Sequence, residues 1–507
     1  MERLNHNLYA RIAAVAAERA AAVCWESPGR STLSYGQLHT QVLRYAGALR
    51  ALGVAPGDRV LAQIDKSIEA LLLYLGTLAT GAVFVPVNSA YTAAEVAYFI
   101  ADAEPRLFVC DPARERQFGG AVGDATPLTT LDGAGGGRLP QQVEAATPAA
   151  LAERGGSDLA AIVYTSGTTG RPKGAMLSHG NLESNAKALV ALWRFTATDV
   201  LLHALPVFHI HGLFVATHCA LFAGARTLLL PRFDATDVIG LLPRSTVFMG
   251  VPTYYTRLLA DPRLTRASVA GLRLFVCGSA PLLASTFEAF AQHTGQQILE
   301  RYGMSEAGMI ASNPYAGPRL AGSVGYPLPG LEARVVDEPG QELPRGSVGV
   351  LEIRGPGVFS GYWRKPEQTA AQFRADGFFI TGDLAEMQPD GRLAIVGRAK
   401  DLIISGGYNI DPREIELALE AHSEVAESAV IGVPHADFGE ALVAVVVPVT
   451  GSAPTEVALL ESLQGRLARF KQPKRVIFVG ALPRNALGKL QKARLRDEYA
   501  RLFQPLS

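Results

Sequence analysis

The chain has 507 residues, which at about 150 per domain allows three or four folding units, or two to three of the larger α/β kind. Its 48% hydrophobic and 19% charged residues exclude disorder, collagen and coiled coil. The 47 basic and 47 acidic residues cancel, so nothing resembles the basic footprint of a nucleic-acid binder.

In chain order, the alanine-rich N-terminus is interrupted by Arg11, Glu18 and Arg19 and predicts an amphipathic first helix, not a signal peptide. Arg59–Ile64 reads as a buried strand. Asp65 or Ser67 would cap the helix that follows, with Ile68, Leu71, Leu72 and Leu75 at helical spacing. Gly81 ends that helix before a strand over Ala82–Val87. Thr92 and Glu95 form a capping box ahead of Val96, Phe99 and Ile100, and Arg106–Cys110 is the next strand. Repeated strand–helix–strand units argue for parallel sheets wrapped by helices.

The glycine-rich stretch from Asp132 to Gly156 reads as a surface loop before a strand over Leu159–Tyr164. The apolar stretch from Leu205 to Ala223 carries His209, His211 and His218, which a membrane span would not readily hold, so none is expected. From about Gly349 short strands with Asp-Gly turns at Asp376-Gly377 and Asp390-Gly391 predict antiparallel pairing. After Arg398 a helix with Ile415, Ala418 and Leu419 on one face precedes strands Ala429–Val433 and Leu442–Val447. That is material for a separate α+β domain. The expected fold is α/β, with a large N-terminal domain of helix-wrapped sheets and a β-rich subdomain over 1–399. A small mobile C-terminal domain over 400–507 follows. No internal repeat is found. Cys24, Cys110, Cys219 and Cys277 form no CxxC pair, so neither zinc site nor disulfide framework is expected, and the chain reads as cytoplasmic.

The strongest local signal is YTSGTTGRPKG at Tyr164–Gly174. Glycines, hydroxyls and a lysine directly after a buried strand can turn several donors toward one anion, with Lys173 as counter-charge. The spacing is not that of a Walker A loop. Further on come GSAP (Gly278–Pro281), YGMSE (Tyr302–Glu306), TGD (Thr381–Asp383), GR (Gly397-Arg398) and PRNALGK (Pro483–Lys489). In this order, over essentially the whole chain, the motifs resemble those of the acyl-activating, adenylate-forming enzymes: acyl-CoA synthetases, aryl-CoA ligases, luciferases and peptide-synthetase adenylation domains.

That resemblance implies attack of a carboxylate on the α-phosphate of ATP, giving an acyl-adenylate and pyrophosphate, and then displacement of AMP by a thiol. Bringing two anions to about 4 Å at an effective dielectric of about 20 costs about 4 kcal/mol, which cations must offset. The family's bridging lysine falls on Lys489, and its magnesium-binding glutamate on Glu306 with Thr165 beside the metal. ATP would be held by Thr165, Ser166, Gly167, Thr168, Thr169, Gly170, Lys173, Ser279, Ala280, Glu300, Gly303 and Ser305. Tyr302 would stack on adenine, Asp383 would hold the ribose hydroxyls, and Arg398 would reach the nucleotide. Lys400 matches the hinge about which the small domain rotates, and Ser405, Gly406 and Gly407 the thiol-binding face. The cofactors implied are ATP, Mg²⁺ and coenzyme A as co-substrate. Acylation of Lys489 would remove its charge, so a lysine acyltransferase and a deacylase are implied partners.

The chain ends about eighteen residues past Lys489 with no carrier domain, which makes free coenzyme A the expected acceptor and a separate carrier protein the alternative. Amino-acid-activating relatives usually place an Asp after the Phe that here is Phe208; His209 stands there instead, which argues against an amino acid. FHIHGLFVA, GSAPLLA, ERYGM, NPY, GFFITGDL and AVIGVPHADFGE resemble the malonyl-CoA synthetases more than the fatty or aryl branches. By that resemblance His209, Arg232, Ser279, Arg301 and Met304 surround a malonate, with His209 also catalytic, and a buried guanidinium would favour a second, distal carboxylate. Ala307 and Gly308 are smaller than the residues usual there, so a wider pocket for methylmalonate or another short acid is the alternative, and a short monocarboxylate a further one. A non-catalytic nucleotide-binding scaffold, the rival of a different class, should lack Lys489 or Glu306, and both are present.

Overall fold

The computed structural model describes residues 5–118, 126–165 and 172–398 and, beyond these, all but 399–400, 402, 406–407, 411, 436–437, 465, 468, 486–487 and 504–507. Contacts divide it into two compact units, residues 1–332 with 353–379 and residues 333–352 with 380–507. The four-stranded region thus goes mainly with the C-terminal part. Lys400, the expected hinge, lies outside the described residues.

The first unit contains two sheets. In one, Leu128–Thr130, Leu107–Cys110, Arg59–Gln63, Val83–Pro86 and Leu159–Thr165 run parallel, and Lys173–Ser178 turns back antiparallel on the last of them. The second has nine strands, with a parallel interior that includes Val200–His203, Val247–Gly250, Leu274–Cys277 and Ile298–Met304. Parallel strands need helical crossovers on both faces, and their nearly continuous apolar runs follow from burial on both sides. Phe248, Tyr255, Phe275 and Phe290 interlock edge-on within the core beside that sheet.

Local chemistry places the crossover helices. Ser67 caps Ile68–Thr80 by accepting from the Ala70 N–H, and Gly81 ends it in the left-handed region at φ 79°. The Thr92–Glu95 capping box closes reciprocally at the start of Ala93–Ala103. The predicted loop from Asp132 to Gly156 requires correction, because Arg138–Ala145 is a helix that buries Leu139 and Val143. Two apolar residues four apart give one helical stripe, but the glycines before them hide it.

In the second unit, Glu332–Val336, Val348–Arg354, Phe379–Met387 and Leu393–Arg398 form the four-stranded sheet. A five-stranded sheet follows, centred on Val425–His435 and Gly439–Pro448. Alternate residues divide between its faces: Val430, Leu442, Ala444 and Val446 pack on one side, and Ala429, Ile431, Val433, Val443 and Val445 on the other.

Candidate active site

Thr165 ends its strand opposite Lys173, so the pair forms the neck of the phosphate loop. Ser166, Gly167, Thr168, Thr169 and Gly170 lie outside the described residues. The Lys173 ammonium stands 5.0 Å from the centroid of Tyr362, and the Tyr362 hydroxyl donates to Glu306 Oε1 at 3.0 Å. Glu306 is buried, and its backbone carbonyl accepts from the Phe359 N–H at 2.7 Å. Burial and the neighbouring carboxylate push the Tyr362 phenol upward, so it stays a donor. Two sequence-predicted residues, Lys173 and Glu306, are thereby joined through Tyr362, which sequence reasoning missed. It lies 56 residues beyond Glu306, in a GYW segment with no spacing signal.

Tyr302, Gly303 and Met304 close the strand Ile298–Met304 against Gly308–Ser312, with a bulge after Tyr302. Ser305 sits in the turn that follows Met304. Gly303 has no room for a side chain, since a Cβ would lie 2.2 Å from the Gly308 carbonyl oxygen. Tyr302 is half-buried, and Glu300 is buried with Oε1 accepting from the Leu282 N–H at 3.2 Å.

The acid-side residues gather at the end of the parallel strands. Gly278 lets the Arg301 guanidinium lie against the backbone: a Cβ there would be 2.5 Å from Arg301 Cζ. The next residue, Ser279, takes the left-handed region at φ 74°, a conformation that side-chain-bearing residues adopt at a cost of order 1 kcal/mol or more. That turn sets Ser279 Oγ 3.3 Å from His211 Nδ1 and 3.5 Å from Arg301 Nη2, with Ala280 half-buried beside it. Arg301 is 3% exposed, forms no ion pair among the described residues, and leaves Nε without a partner. Burial pulls it down to about 10, so it remains a cation near neutrality.

His211 is equally buried. Burial and then the Arg301 charge hold it far below the usual imidazole range, so it is neutral, and its Nε2 has no partner among the described residues. His209 is half-buried and tied to it, Nδ1 accepting from the His211 N–H at 3.3 Å. The FHIHG motif puts both histidines near the expected acyl pocket, but the resemblance carries only His209 into the malonate site. Arg232 is exposed after the strand Arg226–Leu229 and forms no hydrogen bond or ion pair with this group. The extra room expected at Gly308 is filled by Asn185: a Cβ on Gly308 would meet its side chain at 2.9 Å. The Asn185 amide exchanges hydrogen bonds with the Met309 backbone, at 2.9 and 3.2 Å.

Within the second unit, Asp383 is buried and its backbone N–H donates to Thr381 Oγ1 at 3.1 Å. It stands opposite Arg398 across the antiparallel pair. Ser405 is buried and pairs with Tyr408 and Gly439, while Gly406 and Gly407 lie outside the described residues. Lys489 is exposed on a tight turn: its N–H donates to Asn485 Oδ1 at 3.0 Å, and Arg484 Nη1 donates to the Gly488 carbonyl at 2.7 Å.

Comparison with known proteins gives the family. Residues 10–363 match the model of the AMP-binding enzymes, and residues 414–489 that of the AMP-binding enzyme C-terminal domain. ATP-bound MatB from Rhodopseudomonas palustris is 50% identical, with a TM-score of 0.97 over 99% of this chain and 100% of that one. The mitochondrial malonate–CoA ligase ACSF3 of Mus musculus is 37% identical over 91% of this chain and 86% of its own. An indoleacetate–CoA ligase of Aromatoleum aromaticum is 36% identical over 92% and 94%. The chain belongs to the AMP-binding enzymes and is an acid–thiol ligase of their acyl-CoA synthetase branch, an enzyme that forms an adenylate from ATP and passes the acyl group to coenzyme A.

Proposed function

We propose that the acid is malonate. Relatives named for indoleacetate and for malonate are almost equally identical to this chain, so overall identity does not select the substrate. One observation supports the malonate reading: Arg301 is a buried cation that makes no ion pair among the described residues, with only the field of the buried Glu300 carboxylate to offset it. Removing an ion from water costs several kcal/mol unless an opposite charge compensates it. A substrate with a distal carboxylate supplies that charge, with Ser279 and the neutral His211 offering hydrogen bonds beside it. A monocarboxylate leaves the guanidinium without an ion pair.

Glu306 is our candidate for a Mg²⁺ ligand. Among the described residues no cluster of three or more His, Cys, Asp or Glu could hold a metal. That suits a cation bound by one carboxylate, phosphate oxygens and water, with Thr165 at the neck of the phosphate loop as a second oxygen. Mg²⁺ would neutralise phosphate charge. Lys173, Tyr302, Asp383 and Arg398 would then hold the nucleotide, Lys489 would bridge the acid and the α-phosphate, and Ser405 would border the thiol path. Reversible acylation of Lys489 would switch the first half-reaction off.

The test is ATP-, magnesium- and CoA-dependent AMP release with malonate, methylmalonate, succinate, acetate, propionate and butyrate. Malonate should lead, with propionate and butyrate lower by up to roughly 10⁴, the discrimination available to a site built around a polar substrate group. Preference for a monocarboxylate would retire the malonate reading and leave the ligase intact.

A further inference from the structure

Lys66 belongs to none of the motifs above. It stands immediately before the cap of the helix Ile68–Thr80 and is 5% exposed. Among the described residues no carboxylate pairs with it, and burial alone pushes its ammonium well below the usual lysine range. Its donors are nevertheless all used. Nζ donates to the carbonyls of His203 at 3.0 Å and Leu205 at 2.8 Å, and approaches His203 Nδ1 at 3.4 Å. An ammonium has three N–H groups, and these are three acceptors.

With Nδ1 accepting, the His203 proton lies on Nε2, which donates to the Gly212 carbonyl at 3.0 Å. Thr217 Oγ1 donates to the same oxygen at 2.9 Å. From the other side, Gly212 packs so closely on Pro206 that a Cβ would lie 2.0 Å from the Pro206 carbonyl oxygen. Residues 204–211 are therefore strung between His203 and Gly212, which the His203 ring ties together while Lys66 grips the first end. His209 lies on that segment, and His211 opens the helical segment His211–Ala216.

A buried charge held only by dipoles is not the arrangement stability favours. Apolar replacements of buried ions are often neutral or stabilising when they fill the same volume. We propose that Lys66 is a positioning residue for acid binding: through His203 and Gly212 it fixes the segment 204–211 so that His211, with His209 tied to its backbone, is held beside Ser279 and Arg301. This rests on the assignment of His211, Ser279 and Arg301 to the acid, and not on which acid it is.

The full-length enzyme is compared with Lys66→Met, His203→Asn and His203→Gln, using whichever acid the wild type turns over best. Asparagine can reproduce the Nδ1 contact with Lys66 but not the reach to Gly212, whereas glutamine can span to Gly212. The KM for the acid should rise at least tenfold in Lys66→Met and His203→Asn, with the KM for ATP within twofold of wild type. His203→Gln should recover most of the loss. A scaffold role alone would change thermal stability and the active fraction while leaving both KM values of the folded enzyme unchanged. Wild-type acid KM in folded Lys66→Met overturns the proposal. Should that variant not fold, equal acid KM values for the two His203 variants overturn it instead. If the wild type prefers an acid other than malonate, the malonate assignment fails and the comparison proceeds on that acid.

Discussion

At the residue scale, Arg301 and Lys489 are charges of opposite situation. Arg301 is buried and makes no ion pair among the described residues, only a through-space attraction to Glu300, so its removal should cost substrate more than fold. In Arg301→Met, kcat/KM for malonate should fall by about 2–5 kcal/mol, or roughly 30- to several-thousandfold, while propionate turnover changes much less. Steady-state AMP release with both acids, beside a thermal melt, measures this. Equal losses for the two acids would mean that Arg301 supports the sheet and does not read the substrate. Lys489 is exposed, and the backbone of its turn is held by Asn485 and Arg484. Lys489→Ala should thus leave the turn intact. It should cripple formation of the acyl-adenylate while largely sparing thioester formation from chemically prepared acyl-adenylate. Adenylate formation at a near wild-type rate would sink the assignment.

Elements decide how far such residues can be displaced, and two glycines show the difference. A Cβ at Gly212 would strike a backbone oxygen at 2.0 Å, which no rotamer relieves, whereas at Gly278 it would strike the guanidinium of Arg301. Gly212→Ala should destabilise the first unit by about 1–3 kcal/mol or more, read as a lower urea midpoint. Gly278→Ala should barely move that midpoint but raise the KM for the acid, because the side chain yields and carries its charge with it. The reverse ranking would mean that the Arg301 pocket is the stiffer of the two. The same distinction explains what the sequence disclosed. Ser67, Gly81 and the Thr92–Glu95 pair act on backbone groups within four residues, so their helices were legible. So were Glu306, Ser279 and Arg301, which sit in motifs. Tyr362 and Lys66 acquire meaning only from partners 56 and 137 residues away, and nothing local marks them. The helix Arg138–Ala145 was lost for a third reason, a short apolar stripe behind three glycines.

Over the whole molecule, the ten histidines are the side chains whose ordinary titration range adjoins neutrality, so the pH dependence of stability there falls mainly to them. Several are buried neutral. His179 Nδ1 accepts from the Leu8 N–H at 3.0 Å, fastening the first helix, Leu8–Glu18, to the helix His179–Leu192; burial brings this imidazole down to about 4. His218 Nε2 meets the Tyr74 hydroxyl at 2.8 Å, and burial brings it down to about 3. For both, the folded state binds the proton less readily than the unfolded chain, whose imidazoles titrate near 6.5. Their contribution is therefore complete above about pH 6.5 and is lost as the pH falls toward the folded values. By pH 4 the loss should be on the order of 3 kcal/mol for His179. Carboxylates begin to titrate in the same range, so the discriminating measurement is a difference. His179→Asn offers Leu8 a non-titrating acceptor near the position of Nδ1. Urea midpoints of wild type and His179→Asn should be well separated at pH 7.5, with wild type the more stable, and should converge as the pH is lowered to 5. A separation that stays constant over that range would mean that His179 is not held neutral, and that the docking of the first helix carries no pH dependence of its own.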